Sequence, residues 1–345
     1  MGLFTGSDSQ PQLAFMQQPT HVRSFESRGH DDVTSYTATG LSLAANGDYI
    51  VCDVGTDSVR VFSPQGRCKL ELNTEPAEEP TSAVAVSLNL QKVPARSTNS
   101  MVTTRGSRPP NSSALTSDDC LLVACRTGLK MFSGCGQLLS EMTSDIKCPQ
   151  CVVTDAHGNV IISDMLDGGS TIVTLDARTL IPVRLLCGAC VDLGGPATNR
   201  DSKIFDLDPF TEIATKTDAT FHTAWYMHVT RDERVVVSDR EDHMIKCYTS
   251  RGEHVWSVGG FGARNGQFVK PAGIAEDALG HLLVADSGNN RVQIISSSGD
   301  WLGVILGDHV IELNCPMDVA LDDRGHVVVL EASGTVHVYK YLTLN

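Results

Sequence analysis

Apolar and polar positions along the chain form a pattern that returns six times. Each copy has two short β-branched runs separated by a glycine-bearing turn, then an anchoring residue, usually acidic, at the end of the second run. A third run alternates apolar and polar residues, as in Val59-Arg60-Val61 and Val336-His337-Val338. Period-two alternation over short runs predicts half-buried strands. Segments with helical spacing are nearly absent.

The clearest copy runs from Lys270-Pro271 through Gly273-Ile274, Gly280, Leu283-Val284, Asp286 and Asn290 to Val292 and Ile294-Ile295. The next runs from Cys315-Pro316 through Val319, Gly325, Val328-Val329 and Glu331 to Val336, Val338 and Tyr339. The frame also fits 148–172, 226–248 and 41–62, and more weakly 83–86 continued at 121–132. The anchoring position falls at Asp53, Cys125, Asp164, Asp239, Asp286 and Glu331. Units of about 40–45 residues with four short strands are the mark of propeller blades. The pattern therefore predicts an all-β fold, a six-bladed β-propeller.

After Tyr341 only Leu342-Thr343-Leu344-Asn345 remains, so the last copy lacks an outer strand. The stretch His21-Val22-Arg23-Ser24-Phe25 is expected to supply it and close the ring, because an unpaired edge invites aggregation. Residues 1–20 then read as a flexible tail and 21–345 as the propeller. The long gaps between anchors hold insertions at about 87–117 and 191–224.

Composition narrows the classes. The chain has 345 residues, 41% hydrophobic and 20% charged, with 30 glycines, which excludes disorder throughout, collagen and a coiled coil. No apolar run reaches the length of a membrane helix. The N-terminus lacks the basic and apolar regions of a secretory signal, and Gly6 stands where a myristoylation signal needs Ser or Thr. A net charge of -14 argues against an anionic membrane or DNA as partner. The 11 scattered cysteines point to a reduced, cytoplasmic protein.

The pattern Pro271-x-Gly273-Ile274, then Gly280-x-Leu282-x-Val284-Ala285-Asp286, then Asn289-Asn290-Arg291-Val292-Gln293-Ile294 resembles an NHL repeat, and residues 258–268 resemble that family's linker. The resemblance is strong over 225–339, fair over 41–66 and 148–175, and weak over 83–132. The ending, 327–340, is similar to that of malin-like proteins. The chain thus resembles the NHL β-propellers of malin-like and tripartite-motif ubiquitin ligases. No Cys/His array of RING spacing occurs here, so ligase activity does not carry over.

The resemblance implies a binding face built by the turns between second and third strands and by the inter-blade linkers. In this chain that face comprises Thr56, Asp57, Asp167, Arg240, Glu241, Asp242, His243, Phe261, Arg264, Asn289 and Asn290. Its mixed charge suits a protein or peptide epitope better than a phosphate backbone. The expected function is a non-enzymatic recognition module or scaffold, serving a ubiquitin-ligase pathway by analogy alone, with no cofactor. The alternatives are single-stranded RNA binding through Arg240, Arg264 and aromatics, and a metal-dependent propeller lyase or lactonase.

Other residues invite chemistry and have plainer readings beside it. The anchoring acids could ring a channel as ligands; recurrence at one repeat position instead favours acceptance of backbone N–H groups in the next turn. Arg291 and Lys246 read as partners within their blades. Cys148, Cys151, Cys187 and Cys190 form two Cys-x-x-Cys units that could supply zinc with four thiolates, but the spacer exceeds that of common zinc signatures. His157, His281 and His326 occupy equivalent turns and read as exposed, while His228 and His243 flank the fourth copy and could approach the channel. The insertion at 87–117 is locally basic, with Lys92, Arg96, Arg105 and Arg108, and is read as a solvated loop. That at 191–224 carries Phe205, Phe210 and Phe221, which are expected to pack.

Overall fold

The computed structural model describes residues 13–27, 37–74, 80–87, 119–142, 146, 148–166, 169–176, 182–186, 190–192, 221–307 and 312–344. The insertions at 87–117 and 191–224 lie largely outside them.

The chain opens with strand β1 (Leu13–Glu26) and then builds six sheets. The first blade is β2 (Ala38–Leu43), β3 (Tyr49–Asp53), β4 (Ser58–Phe62) and β5 (Cys68–Asn73). The second is β6 (Pro80–Ser87), β7 (Asp119–Cys125), β8 (Gly128–Ser133) and β9 (Leu138–Met142). The third is β10 (Pro149–Thr154), β11 (Val160–Leu166), β12 (Gly169–Leu175), β13 (Pro182–Leu186) and a short fifth strand, β14 (Cys190–Asp192). The fourth is β15 (Ala224–Val229), β16 (Val235–Asp239), β17 (Met244–Tyr248) and β18 (His254–Gly259). The fifth is β19 (Pro271–Glu276), β20 (Leu282–Asp286), β21 (Arg291–Ile295) and β22 (Trp301–Leu306). The sixth is β23 (Pro316–Leu321), β24 (His326–Glu331) and β25 (Thr335–Leu344), completed by β1.

All pairings are antiparallel, and the first strands β2, β6, β10, β15, β19 and β23 contact one another in a closed circle. These strands therefore line the axis, and the fold is a six-bladed β-propeller. Each first strand carries a register shift just after its opening residue, for example between Ala224 and Tyr226 and between Pro316 and Asp318. The extra residue re-aims side chains at one end of the axis.

The closing strand is present. His21 stands opposite Tyr339 and Phe25 opposite Val336. Phe25 stacks on Tyr49 and tilts against Phe62 of the first blade, which ties β1 to both neighbours of the seam. Pairing starts earlier than the sequence suggests: Leu13 already faces Leu344, so residues 13–20 of the expected tail are strand. The long alternating run of β25, 10 residues, gives β1 a matching edge to extend along.

The apolar positions of the second and third strands fill the spaces between blades. Ile50, Cys52, Val59 and Val61 of blade one pack with Leu121, Val123 and Cys125 of blade two. Phe221, from the end of the second insertion, is fully buried between blades three and four, edge-on to Tyr248, so its aromatic packs as expected. Single buried hydroxyls stitch neighbours: Ser238 Oγ donates to the Ala272 carbonyl (2.7 Å) and Ser287 Oγ to that of Pro316 (2.6 Å).

Candidate functional site

Antiparallel pairing places the end of each second strand beside the start of the first, so the turn between strands two and three shares one face with the incoming linker. The anchoring acids hold that junction together. Asp164 accepts the Cys148 N–H, Asp239 those of His222 and Thr223, Asp286 that of Val269, and Glu331 that of Asn314. These donors lie 16 or 17 residues upstream, in the linker that enters the first strand. Among the described residues, Asp53 also reaches forward, to Gly55 N–H. The expectation of bonds in the next turn is corrected accordingly: hairpin geometry offers each carboxylate the linker opposite, where backbone donors have no strand partner. In the second blade Cys125 replaces the acid and joins the inter-blade core.

Arg291 and Lys246 neutralise these acids. Arg291 Nε lies 2.8 Å from Asp286 and spends its remaining donors on the carbonyls of Ala263, Arg264 and Gln267. Lys246 bridges Asp239 and Asp242. Burial opposes its charge, but hydrogen bonds to both carboxylates hold the ammonium's pKa above the usual lysine range. Burial likewise opposes the charge of Asp242, yet bonds from Lys246 and His222 keep its carboxyl below the ordinary range.

The predicted face residues divide into two groups. Thr56 and Asp57 sit in the first blade, where Asp57 adopts a left-handed backbone (φ 46) and its carbonyl accepts from Thr74. Arg240, Glu241, Asp242, His243, Phe261, Arg264, Asn289 and Asn290 gather around blades four and five. His243, also left-handed (φ 56), accepts the Lys270 N–H on Nδ1 at 2.9 Å and backs the Phe261 ring at 5.1 Å. Asn290 makes the equivalent link one blade on, accepting the Cys315 N–H. Asn289 donates to Gly262 and Asp286.

Phe261 stands on a braced loop and is 72% exposed. The Phe268 N–H donates to the Gly260 carbonyl, and the Gly262 N–H to that of Phe268. Gly262 (φ 154) has no room for a Cβ, which would strike the Gln267 amide. The Arg240 guanidinium lies over the Trp225 ring, 4.9 Å from its centroid. Trp225 on β15 was not singled out from the sequence, although a Trp-Tyr pair at the opening of a first strand departs from the small residues Ala272-Gly273 at the same place. Asp167 lies outside the described residues.

Strand order separates the two cysteine pairs. Cys151 lies on the innermost strand of blade three and Cys190 on the outermost, four strand spacings or about 19 Å away. One zinc ion cannot take ligands from both positions. Cys151 is buried in the core between blades, and Cys187 lies outside the described residues. Among the described residues no cluster of three or more His, Cys, Asp or Glu could hold a metal.

The turn histidines occupy the opposite face. His157 is exposed and pairs with Glu233, but His281 and His326 are largely covered. Their Nδ1 atoms lie 3.0 and 2.9 Å from Asp277 and Asp322, whose carboxylates also accept N–H groups within the turn. The repeat's own aspartate thus draws these rings in. His228 lies 3.9 Å from Glu276 of the next blade.

A closed ring of six four- or five-stranded blades, with turns and linkers gathered on one face, defines a six-bladed β-propeller rather than a barrel or sandwich. Residues 268–295 match the family model of the NHL repeat, and part of the chain resembles the proteins that follow. It is 39% identical over 56 residues to E3 ubiquitin-protein ligase TRIM71 of Xenopus tropicalis, spanning 16% of this chain and 7% of that protein. It is 34% identical over 86 residues to Protein brain tumor of Drosophila melanogaster, spanning 24% of this chain and 8% of that one. These matches thus span less than a tenth of either relative's length.

Among solved structures, one of a Bacteroides thetaiotaomicron protein of unknown function covers 96% of this chain and 76% of its own (TM-score 0.58, 11% identity). Virginiamycin B lyase from Staphylococcus aureus covers 97% of this chain and 100% of its own (TM-score 0.53, 9% identity). At such identities the likeness shows the fold alone. No helix among the described residues is long and apolar enough to cross a membrane.

Proposed function

We propose that this propeller is a non-enzymatic recognition module that binds a protein or peptide partner on the face formed by blades four and five. The observation that carries the reading is Phe261: a large apolar ring, 72% exposed, held on a braced loop and backed by His243. An ordered loop that presents an aromatic side chain to solvent provides a rigid anchor of the kind that dominates interface energetics. Arg240, Glu241 and Arg264 around it supply charges of both signs. A partner bound here would be held on a cytoplasmic scaffold. The likeness to a protein named as an E3 ubiquitin ligase supports substrate recognition in a ubiquitin-dependent pathway as its setting.

Single-stranded RNA is the second reading, favoured by Arg240 stacked on Trp225 beside the exposed Phe261. Cations interleaved with aromatics are what unstacked bases use. Capture from a cytosolic lysate, with and without nuclease, separates the two. Partners that survive nuclease but are lost from the Arg240→Glu, Arg264→Glu double variant support protein recognition. Binding lost on nuclease treatment, and falling steeply with salt, transfers the assignment to RNA.

A further inference from the structure

Beneath the face, at the axis, blade four presents two hydrogen-bond donors with no acceptor among the described residues. The Tyr226 hydroxyl belongs to a residue only 5% exposed and has no partner among the described residues. The Nη1 atom of Arg240 is likewise buried and unpaired. The Arg240 guanidinium makes no side-chain hydrogen bond or ion pair among the described residues, and it lies over the Trp225 ring. Arg60, Arg234, Arg291 and Arg324 each have a carboxylate. A buried donor left without an acceptor costs about 1–3 kcal/mol, and more when charged, so two at one spot demand an account.

Tyr226 lies on the innermost strand of blade four and Arg240 directly follows its neighbour β16, so one hairpin delivers both groups to the same end of the axis. The Tyr226 ring packs on the small side chains of Ala272 and Ala285 of blade five, neither of which carries a hydrogen-bonding group. Beside them Gly273 lies against the Asp318 carboxyl so closely that any Cβ would collide with it. Asp318 accepts from Leu41 N–H at 2.7 Å and Val319 N–H at 2.8 Å, and makes no hydrogen bond to the Tyr226 hydroxyl or to Arg240 Nη1.

The charge around Tyr226 is positive. Burial pushes the Asp318 carboxyl up to about 8, against the pull of its two N–H bonds, which leaves it largely neutral near pH 7. Burial also raises the Cys52 thiol, so that neighbour is uncharged too. Of the groups that act on the Tyr226 phenol, Asp318, Arg240, Cys151 and Cys52, Arg240 is the one cationic side chain.

We propose that Arg240 and Tyr226 bind a carboxylate group at the axis of the ring. A carboxylate takes two N–H donors from one guanidinium and has lone pairs left for a tyrosine hydroxyl, and its single charge balances that of Arg240. Arg240 is shared with the Phe261 face, whereas Tyr226 is not part of that face, so Tyr226→Phe separates the two. The carboxylate comes either from a small free acid or from the end of a peptide chain.

Ligand-observed NMR on the full chain tests this with acetate and with N-acetylglycylglycine, against acetamide, N-acetylglycylglycinamide and sodium chloride. The expected result is binding of the carboxylates and not of the amides, weakened roughly tenfold or more in Arg240→Gln and Tyr226→Phe. Tyr226→Phe removes an unpaired hydroxyl without altering shape, so an unchanged circular dichroism spectrum and melting temperature confirm that it is folded. Similar affinity for both probes identifies a free acid as sufficient; strong preference for the dipeptide identifies a chain end. Carboxylate binding no better than chloride, or binding unaltered in both variants, overturns the proposal. Partner capture by Tyr226→Phe alongside that negative result would leave the Phe261 face standing and sink only the axial seat.

Discussion

The carboxylate of Asp318, on the innermost strand of the last blade, accepts the backbone N–H of Leu41 on the innermost strand of the first at 2.7 Å. The two residues are 277 apart in sequence and meet only because the ring is closed. The first strand has no neighbour on its axial side, and Asp318 supplies an acceptor there. The seam is thus locked at its inner rim by this bond and at its outer rim by β1.

Asp318 should make stability fall as pH rises. Its unfolded pKa is near 3.9, while burial raises it to about 8 in the fold. The folded state therefore binds the proton more tightly, and its contribution is fully present below pH 4. That contribution is lost progressively between about pH 4 and 8. Urea unfolding across that range should show a falling component in the wild type that is absent from Asp318→Asn.

Breaking the Asp286 junction should be costly. Its carboxylate holds Val269 N–H, Asn289, Arg291 and Gln293, all within 2.9 Å. Asp286→Ala leaves a mostly covered guanidinium without its counter-charge, a change that costs about 3–5 kcal/mol for buried pairs. Glu71→Ala removes the solvent-exposed partner of Arg60 and should cost under about 1 kcal/mol. Chemical denaturation of the two variants side by side checks the contrast.

Phe261→Ala should separate binding from folding. The ring is mostly in water, so truncation should alter stability by less than about 0.5 kcal/mol. As an interface anchor it should account for about 2 kcal/mol of partner affinity, roughly thirtyfold. Melting temperature and partner affinity measured on the same preparation test both halves.

Removal of residues 1–26 should convert the protein to an aggregating species. Without β1 the whole of β25 becomes a bare edge, the form of strand that recruits other chains. Phe25→Ala keeps the strand but removes the ring that packs on Tyr49 and Phe62, and should cost about 2–3 kcal/mol with the protein still monomeric. Size-exclusion chromatography and thermal melting distinguish the outcomes.

The blades were legible because each must repeat the same burial pattern: Asp53, Asp164, Asp239, Asp286 and Glu331 mark one structural position, and the strands follow from it. The closing strand was legible from what the last blade lacked, though its start at Leu13 was not, since Pro19 and the polar pair Gln17-Gln18 interrupt the alternation. Partners of the anchoring acids were misplaced because the hairpin folds a linker 16 or 17 residues away onto them. Trp225, Tyr226 and Asp318, which meet near Arg240 at the axis, escaped notice for a different reason. They come from two different repeats and their residue types do not recur at those positions, and a repeat alignment highlights what recurs. An aspartate in the apolar run Pro316-Met317-Asp318-Val319-Ala320 was the available signal.

The seam has a mechanical consequence. In the antiparallel pairing of β1 with β25, Leu13 lies opposite Leu344 and Glu26 opposite Thr335. A pull applied at Leu13 and Leu344 therefore loads the ladder from one end and opens it rung by rung, like a zipper, instead of shearing all its bonds together. The contact that secures the ring against heat is the one that yields first to tension.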